Sequence, residues 1–413
     1  AIDFLNQYNI KSIIIDHHEI NKPYPKSNII INPKQDNGYL RYDYFCATAL
    51  TYFFLEILIK KIKSNFNISD FLIYVLLATV CDVMPLRKIN KIIAINVLKD
   101  FKIEKHIAFE SLLKISGNFK KLDTDDLGYL IGPIINAGGR LGYSKLGVEL
   151  LTSNDPNIIN HKSNRLIELN NKRKKIENNI LKNKDFKEIE NKNKNVIIYY
   201  HPNINEGLSG IIASKLKEYF NKPSIVITSS NNFLKGSARS TYNYNIGHVI
   251  KILNDKNIIE NGGGHNMAAG FTIKKNNINI LDDFIQKDFS YKINNHDLTC
   301  KYDFELSSST INNNFINDIN KLGPFGNFNP MPLFLFKNLK IIKTKILDDK
   351  HVSVILKPSL GRSIKAICFN CMISNTGKYL LTYKKNINVI GQIYENIWNN
   401  KRSIQLNIKD ILI

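Results

Sequence analysis

The stretch from Ser12 to Ile20 reads Ser-Ile-Ile-Ile-Asp-His-His-Glu-Ile. Its three consecutive β-branched residues, Ile13–Ile15, predict a short strand buried on both faces, as in a parallel sheet. Side chains at the carboxyl end of such a strand project into the crevice where α/β proteins hold ligands. Asp16, His17 and His18 follow the strand there, and their oxygen and nitrogen donors suit Mn²⁺, Mg²⁺ or Zn²⁺. The alternative is that Asp16 caps the next helix while both histidines lie on the surface, and the triplet alone does not decide.

The composition predicts a multi-domain protein with a polyanionic partner. A chain of 413 residues is long enough for two or three domains. Its 57 Lys and Arg residues outnumber 36 Asp and Glu residues, and the resulting net charge of +21 indicates nucleic acid before membrane. Asn, Lys and Ile are abundant everywhere, as AT-rich coding would produce, so part of the lysine excess need not reflect phosphate binding.

The cysteines and the apolar runs indicate a reducing cytoplasm and no membrane association. Five cysteines are too few and too scattered for a disulfide framework. No signal peptide is visible, and the longest apolar run, Phe71 to Val80, is shorter than the roughly 20 residues that a membrane-spanning helix needs.

The same apolar run predicts a helix that delivers Asp82. A carboxylate so close to an apolar run is either an exposed helix cap or a buried ligand. Burying it without a partner would cost several kcal/mol, so the second alternative needs a metal or strong donors beside Asp82. The local sequence leaves the two alternatives open.

The stretch Leu127–Leu141 carries two glycine-containing pairs and an arginine. Gly132-Pro133 is expected to break the preceding helix, and Gly138-Gly139 to allow close approach of the backbone to a ligand. Arg140 follows at a point where its guanidinium could bind a phosphate through two nitrogens. The alternative is a tight turn with a surface arginine.

A change of composition between residues 157 and 195 marks a predicted domain boundary. His161 to Glu190 is rich in Lys, Asn and Glu, and its apolar residues are spaced as on one helix face. This pattern predicts one long amphipathic connecting helix, whose apolar positions include Leu166, Leu169, Ile176 and Ile180.

A second α/β unit follows the predicted connecting helix. The sequence predicts a strand at Val196–Tyr200, a helix from Glu206 to Phe220 and a strand at Pro223–Thr228. Alternation of strand and helix in this order is typical of a sheet with helices packed on it.

Further on, Asn261 to Gly270 reads Asn-Gly-Gly-Gly-His-Asn-Met-Ala-Ala-Gly. The three glycines are expected to expose backbone N–H groups to an anion in a loop, with a following helix start adding its positive dipole end. There is no P-loop lysine, so nucleoside triphosphate binding is disfavoured. The sequence predicts instead a site for phosphate or a terminal nucleotide, made by Ser237, Arg239, Gly262, Gly263, Gly264 and His265. The alternative is a glycine-rich turn beside a surface histidine.

The last third of the chain, from about Tyr291, predicts a small β-barrel. Leu322 to Pro330 is a turn-rich hinge, and short apolar runs follow it, several of them alternating. Five or six short strands in a basic segment with aromatic residues suit an OB-fold, which binds single strands by stacking and charge. The alternative is a structural β module. The runs lie at 333–336, 341–346, 351–356, 364–369, 387–393 and 404–408.

Together these segments resemble the DHH phosphoesterase superfamily and, within it, the RecJ family of bacterial single-strand-specific exonucleases. The resemblance spans nearly the whole chain, and its motifs stand in the family's order. The motifs are Asp16-His17-His18, Ala78–Leu86, Gly132–Leu141, Glu206–Ser214, Gly236–Ser240 and Gly262–Gly270, with Leu322–Gly326 and Arg402–Leu406 in the part that resembles the terminal OB-type domain.

The resemblance implies an α/β fold in four parts. An N-terminally incomplete DHH parallel-sheet domain at 1–156 is joined by a connecting helix at 157–195 to a DHHA1 α/β domain at 196–290. An OB-like nucleic-acid-binding β-barrel at 291–413 follows. These parts are expected to surround a cleft sized for one strand.

The resemblance also implies an activity and the residues that carry it. The activity is 5′→3′ hydrolysis of single-stranded DNA to 5′-mononucleotides in DNA repair and recombination, with two Mn²⁺ or Mg²⁺ ions as cofactors. Asn136 and Arg140 fall in the motif that flanks the family's metal site. The positions that engage the strand and its 5′ phosphate correspond to Ser237, Arg239 and His265. The metal-site positions correspond to Asp16, His17, His18 and Asp82.

The chain departs from the family most at its start. The family's metal site also takes aspartates from two motifs upstream of the Asp-His-His strand, whereas here only 15 residues precede Asp16, with Asp3 as their one acid. Since position 1 is not Met, we expect a fragment of a longer protein, or else a decayed gene product that no longer cuts. The 413-residue chain by itself is expected to be inactive. Smaller departures are Cys81 and Gly139, where the family usually has Ala, and Ala238, where it often has Gly.

Two other functions stay open. One is a small-substrate DHH–DHHA1 phosphodiesterase acting on oligoribonucleotides or cyclic dinucleotides, against which the basic β-rich third domain argues. The other is a non-catalytic binder of single-stranded nucleic acid, which would follow if the upstream acids were absent from the gene. We expect a monomer that binds single-stranded DNA, with a helicase or a single-strand-binding protein as candidate protein partners.

Overall fold

The protein divides into two compact units, Ala1–Gly132 together with Lys301–Ile413, and Pro133–Cys300. The domain boundaries expected after residues 156, 195 and 290 stay predictions. The computed structural model describes residues 1–20, 22–35, 40–117, 122–182, 194–230, 233–292, 301–372, 374–383, 385–398 and 401–412.

The first unit begins with helix α1 (Ile2–Gln7) and two short strands, β1 (Ile13–Ile15) and β2 (Ile29–Ile31). The strands pair in parallel, with Ile13 opposite Ile29, so the predicted parallel sheet is confirmed. The expected burial of β1 on both faces is wrong, because 51% of Ile13 is exposed. Within the described residues β1 pairs with β2 alone, which leaves part of its surface without a neighbour.

Helices carry the core of this part of the first unit. The apolar run that predicts a helix over 71–80 forms α3, and five of its ten residues are buried. Helix α3 packs against both of its neighbours in sequence, α2 and α4. The helices are α2 (Ala47–Lys61), α3 (Leu72–Cys81), α4 (Lys88–Asp100) and α5 (Ile107–Ile115).

The expected helix break at Gly132-Pro133 is wrong. A π-helical turn over Asp126–Ile131 runs directly into helix α6 (Gly132–Arg140). Pro133 is the second residue of α6 and has no backbone N–H to donate to the π-helical turn before it, so one helical hydrogen bond is missing at this junction. The helical segment nevertheless continues through Gly132-Pro133.

The predicted connecting helix is present in the second unit. After α7 (Lys145–Thr152), helix α8 spans Pro156–Lys182, and Leu166 and Leu169 of its predicted apolar stripe are buried. Residues 183–190 of the prediction lie outside the described residues. In the part of the chain that the structure describes, no helix has both the length and the apolar character needed to cross a membrane.

A five-stranded sheet forms the centre of the second unit, in the order β3-β4-β5-β7-β6. Strands β3 and β4 are parallel and the other pairs are antiparallel. Its elements in chain order are β3 (Ile197–Tyr200), α9 (Glu206–Phe220), β4 (Ser224–Ser230), β5 (Phe233–Arg239), α10 (Ile246–Asp255), β6 (Asn261–His265), β7 (Ala268–Ile273) and α11 (Ile278–Lys292). Helix α9 covers one face, and α10 and α11 cover the other.

The glycine run does not form the expected loop before a helix. Residues 261–265 are the edge strand β6, and β7 follows in an antiparallel hairpin. Gly262 packs tightly, since a Cβ there would lie 2.7 Å from Ile250 Cγ2. A Cβ at Gly264 would lie 2.4 Å from the Ala268 carbonyl oxygen. Two of the three glycines are thus explained by close packing, and no helix dipole follows them.

The C-terminal part of the first unit is the expected OB-like barrel. Strands β10, β11, β13, β12 and β9 pair in that order, and β9 also pairs with β10, which closes a ring of five. The runs expected at 333–336 and 341–346 are parts of one long strand, β9. The elements are β8 (Phe304–Glu305), α12 (Asn313–Lys321), β9 (Phe334–Leu347), β10 (His351–Lys357), β11 (Ile364–Cys368), α13 (Asn375–Thr382), β12 (Ile387–Trp398) and β13 (Lys401–Leu412).

Candidate functional site

Asp16, His17 and His18 come together at the carboxyl end of β1, as the sequence predicts. Each side chain offers one ligand atom, and these atoms lie within 4.8 Å of one another. Across the described residues this is the one group of three or more His, Cys, Asp or Glu side chains close enough to hold a metal ion.

His18 is oriented by Asp16. The distance from His18 Nδ1 to Asp16 Oδ1 is 2.7 Å, and 69% of the His18 side chain is exposed. Partial burial alone would raise the pKa of Asp16, but hydrogen bonds from the His18 ring and from the backbone of His17 and His18 together lower it. If Nδ1 donates to the carboxylate, the lone pair of Nε2 faces outward, which is the arrangement found in metal-bound histidines.

His17 is the more buried of the two rings and lies against the start of α2. The Ala47 backbone N–H donates to His17 Nδ1 at 3.2 Å. Burial lowers the pKa of His17, the neighbouring His18 lowers it further, and Asp82 and Asp16 oppose the shift. Because Nδ1 accepts the Ala47 N–H, the proton of the neutral ring lies on Nε2. Coordination through Nε2 would require that proton to leave or move to Nδ1, where it would displace the Ala47 contact.

Asn32 supports this cluster and was missed by the sequence reasoning. It is buried, and its Nδ2 donates to the His18 carbonyl at 2.9 Å. A signal existed, because Asn32 follows the Ile29–Ile31 strand as Asp16 follows the Ile13–Ile15 strand. Polar residues at the carboxyl ends of two adjacent parallel strands meet at one edge of the sheet.

Asp82 lies near the cluster without being part of it. It is the exposed C-cap residue of α3, so the cap alternative describes its backbone position. Its charge nevertheless raises the pKa of His17, which places it within electrostatic range of the ring. Its role as a metal ligand stays a prediction.

The donor set of the cluster fits a divalent cation. One carboxylate and two imidazoles lie within ligand reach of one another, and Asp82 adds a second carboxylate nearby. Imidazole nitrogen is a poorer ligand for Mg²⁺, which prefers oxygen, than for Mn²⁺ or Zn²⁺. The cluster on its own therefore fits Mn²⁺ better than Mg²⁺.

In the second unit, predicted phosphate-site residues lie in one row across the sheet. Arg239 on β5 pairs with Ala268 on β7, which pairs with His265 on β6. Residues paired in this way point to the same face. Two strand spacings put the Arg239 and His265 backbones about 10 Å apart.

A second row on the same face is nearly free of side chains. Ser237 pairs with Gly270, and Gly270 with Gly263. A Cβ at Gly263 would meet no atom within 4 Å, so this glycine borders open space. On the other side of Ser237, a Cβ on Gly210 of α9 would lie 3.1 Å from Ser237 Oγ. The face is therefore closed beside β5 and open over β6 and β7.

Arg140 adds a second half-buried guanidinium to this unit. Its Nη1 donates to the carbonyl of Gly207, at the start of α9, at 3.0 Å. Burial lowers the pKa of Arg140 and the charge of Arg173 lowers it further, while Glu177 opposes the shift. Burial likewise lowers the pKa of Arg239, and the charge of Arg140 adds to that effect. Three arginines, Arg140, Arg173 and Arg239, thus form a cluster with one carboxylate, Glu177. The excess positive charge of this arginine cluster favours an anion.

Arg173 and Glu177 are the charged residues that the sequence reasoning missed. They pair one turn apart on α8, with Nε to Oε1 at 3.3 Å, and 13% and 10% of their side chains are exposed. A signal was present in the helix pattern. Arg173 continues the stripe of Leu166, Leu169 and Ile176, so it occupies a position where an apolar residue is expected.

The remaining predicted residues lie on α6. Asn136 is exposed and stands one helical turn before Arg140, so the two share a face. Of the Gly138-Gly139 pair expected to let a ligand approach, Gly138 is explained by packing, because a Cβ there would meet the Tyr143 carbonyl oxygen at 2.8 Å and Leu166 Cδ2 at 3.0 Å. A Cβ at Gly139 would meet no atom within 4 Å, so the expectation stays a prediction at that residue. Gly138 allows close packing of α6 on α8.

Comparison with known families identifies two domains. The DHHA1 domain matches residues 193–290, and the RecJ OB domain matches residues 302–410. The single-stranded-DNA-specific exonuclease RecJ of Bacillus subtilis is 26% identical over 417 residues, which are 97% of this chain and 51% of the relative. The enzyme of the same name from Haemophilus influenzae is 28% identical over 433 residues, which are 98% of this chain and 74% of the relative.

Comparison with solved structures gives the same fold. Thermus thermophilus RecJ in complex with Mn²⁺ has a TM-score of 0.81 and 19% identity, and the match covers 99% of this chain and 59% of that one. The same protein in complex with Mg²⁺ has a TM-score of 0.77 and 19% identity, covering 98% and 60%. The chain thus spans about half the length of the Bacillus relative and three fifths of the Thermus structure. The resemblance and the fold class predicted from the motifs are confirmed.

Proposed function

Because the chain is homologous to RecJ exonucleases along nearly its whole length, we propose that the protein degrades single-stranded DNA from the 5′ end to mononucleotides, in DNA repair and recombination. The observation that carries the proposal is the group of Asp16, His17 and His18 at the carboxyl end of a parallel strand. The curated relatives bear the name of single-stranded-DNA-specific exonucleases, and the activity of this chain is our inference from that likeness.

The cluster is proposed to hold Mn²⁺ or Mg²⁺, with two ions in the active protein. A divalent ion bound there would polarise a phosphate oxygen and lower the pKa of a water molecule. The chain's own residues prepare the site in part: Asp16 fixes the His18 ring, whereas His17 would bind an ion only after losing its Nε2 proton or its Nδ1 contact with the Ala47 amide. We assign Asp82 as a further ligand from the exposed end of α3.

The arginine-bearing face of the second unit is proposed to hold the 5′ end of the strand. Arg140 and Arg239 carry guanidinium groups whose charges repel each other, so a phosphate between them would relieve that repulsion. Ser237 offers a hydroxyl 3.4 Å from Arg239 Nη1. His265 and the open backbone at Gly263 extend the face along which a strand could lie. Asn136 is assigned to the same site from its place on α6.

Selectivity for single strands is assigned to the OB domain and the overall charge. The barrel strands β9 to β13 form the closed ring that OB-folds use to bind unpaired nucleotides. A net charge of +21 supports electrostatic attraction of the phosphate backbone, and such binding weakens steeply as salt rises. We further propose a monomer working in the cytoplasm with a helicase or a single-strand-binding protein. Consistent with a reducing compartment, the four described cysteines carry free thiols.

The 413-residue chain by itself is proposed to bind single strands without cutting them. Asp16, His17, His18 and Asp82 provide two carboxylates, whereas two ions roughly 4 Å apart need more negative ligands to offset their charge. The test is a gel-shift and a nuclease assay on this chain and on the full translated product of its gene, with and without Mn²⁺. We expect salt-sensitive binding by both, and mononucleotide release from single strands but not from blunt duplex by the full product. Metal-dependent release by the 413-residue chain would show that its own acids complete the site.

A further inference from the structure

Asp82 stands at the start of a strained turn. Val83, the next residue, has φ of +54°, in the left-handed region that a β-branched residue rarely adopts. The Val83 N–H donates to the Val80 carbonyl at 3.1 Å and the Met84 N–H to the Thr79 carbonyl at 2.9 Å. This is the bond pattern of a Schellman motif, which normally carries glycine where Val83 stands.

Packing holds this segment at its far end, where Leu86 is buried and lies against Gly326, but not at Asp82 and Val83. Val83 is 64% exposed and Asp82 is also exposed. A cavity of about 200 Å³ borders the turn, and its lining includes Val83, Met84 and Phe325. Because one side of the turn faces solvent and another faces a cavity, its position depends on hydrogen bonds.

Asn327, in the hinge before the barrel, supplies two of those bonds. Its side-chain Nδ2 donates to the Val83 carbonyl, and its backbone carbonyl accepts from the Leu86 N–H at 2.7 Å. Asn90, on helix α4, also holds this segment, because its Nδ2 donates to the Pro85 carbonyl at 3.0 Å. Asn327 therefore forms hydrogen bonds with both ends of the Val83–Leu86 segment, and one of these bonds is to the strained residue Val83 itself.

The hinge is held firmly enough to act as a support. Gly326 and Asn329 exchange backbone hydrogen bonds of 3.0 and 3.1 Å, which closes a tight turn around Asn327. Thr124 Oγ1 donates to the Phe325 carbonyl at 3.0 Å, and Lys91 Nζ donates to the Leu322 carbonyl at 2.9 Å. These contacts attach the hinge to two further places of the same unit.

We propose that Asn327 is a positioning residue for Asp82: the hinge of the OB domain fixes the turn that places the Asp82 carboxylate beside the Asp16–His18 cluster. The inference rests on the proposed role of Asp82 in metal binding. Because Val83 is strained and exposed, the turn at Asp82 and Val83 relaxes when the Asn327 side chain is removed. Asp82 then samples positions away from the cluster, and the affinity for the metal falls.

The first test needs neither metal nor activity. Amide hydrogen exchange is measured on the full chain and on N327A, with T124A as the matched control. T124A removes a hydrogen bond between the same hinge and the same unit, but not one to the turn. We expect exchange at Val83 and Met84 to become about tenfold faster in N327A, as loss of one hydrogen bond allows, and less than about twofold faster in T124A. Unchanged exchange in N327A overturns the proposal.

The second test is a double-mutant cycle on Mn²⁺ affinity, measured by electron paramagnetic resonance on the full translated product. N327A is expected to weaken Mn²⁺ binding about tenfold, as loss of an outer-shell contact does, and to cause no further loss in a D82A background. Equal losses in both backgrounds would mean that Asn327 acts elsewhere, and unchanged affinity with faster exchange would also overturn the proposal. If the unsubstituted protein binds no Mn²⁺, the proposed function fails, and the exchange rates still decide whether Asn327 holds the turn.

Discussion

Two charged clusters of the molecule are built in opposite ways. The first unit places Asp16, His17 and His18 together because they are consecutive at the end of one strand. The second unit assembles Arg140, Arg173 and Arg239 from two helices and a strand that are distant in sequence. The first cluster gathers ligands for a cation, and the second gathers positive charge for an anion. The difference fits the functions that we propose for the two clusters, metal-dependent chemistry in the first unit and binding of the 5′ end in the second.

The proposed roles of the two clusters are tested most strongly by substitution of Asp82. In the full translated product, D82A is expected to lower kcat by more than about 100-fold, because loss of a ligand exceeds the effect of losing its supporting contacts. Binding of single strands should stay nearly unchanged, since Asp82 contacts no phosphate in the proposed arrangement. The matched control is D100A, another exposed acid at the end of a helix of the same unit. Near-normal turnover in D82A would reduce Asp82 to a helix cap.

The proposed role of the second unit is tested by an effect on KM, in contrast to the effect on kcat expected for Asp82. R239A is expected to raise KM for 5′-phosphorylated strands about 10- to 100-fold, the range for a lost charged hydrogen bond, and to leave KM for 5′-hydroxyl strands unchanged. The control is K235A, which removes the same charge from the same strand, where Lys235 bonds Thr272 at 2.9 Å. Steady-state kinetics on the two strand types measure the ratio. Equal losses on both would mean that Arg239 holds the backbone generally and does not read the 5′ end.

The smallest expected effect concerns how the arginine cluster is supported. E177Q leaves Arg173 as a buried charge without its ion-pair partner, and we expect about 3 kcal/mol of lost stability in this unit. The control is E168Q on the same helix, whose pair with Arg165 lies at 3.1 Å with 45% and 66% of the side chains exposed. Such an exposed pair contributes less than about 1 kcal/mol. Thermal unfolding and hydrogen exchange along α8 compare the two, and equal destabilisation would contradict a supporting role for Glu177.

The same contrast explains what the sequence could predict. The Asp16–His18 triplet was visible because neighbours in sequence at a strand end are neighbours in space. Arg173 was hidden by the polarity of its helix, although its place in the apolar stripe marked it. The glycine run forms a strand and not the expected loop, because pairing with β7 overrides the weak strand preference of glycine. Asn327 was beyond reach, since its contact with Val83 joins residues 244 positions apart, and no local pattern encodes such a pair.

We propose above that the protein cuts from the 5′ end, which the arginine-bearing face holds. Its most direct test uses one 5′-phosphorylated single strand, labelled at the 5′ end in one sample and at the 3′ end in another. The full translated product is added with Mn²⁺, and products of the first turnovers are separated. We expect the 5′ label to appear at once as a mononucleotide while the 3′ label stays on long strands. Early release of the 3′ label, or equal rates on blunt duplex, would contradict it.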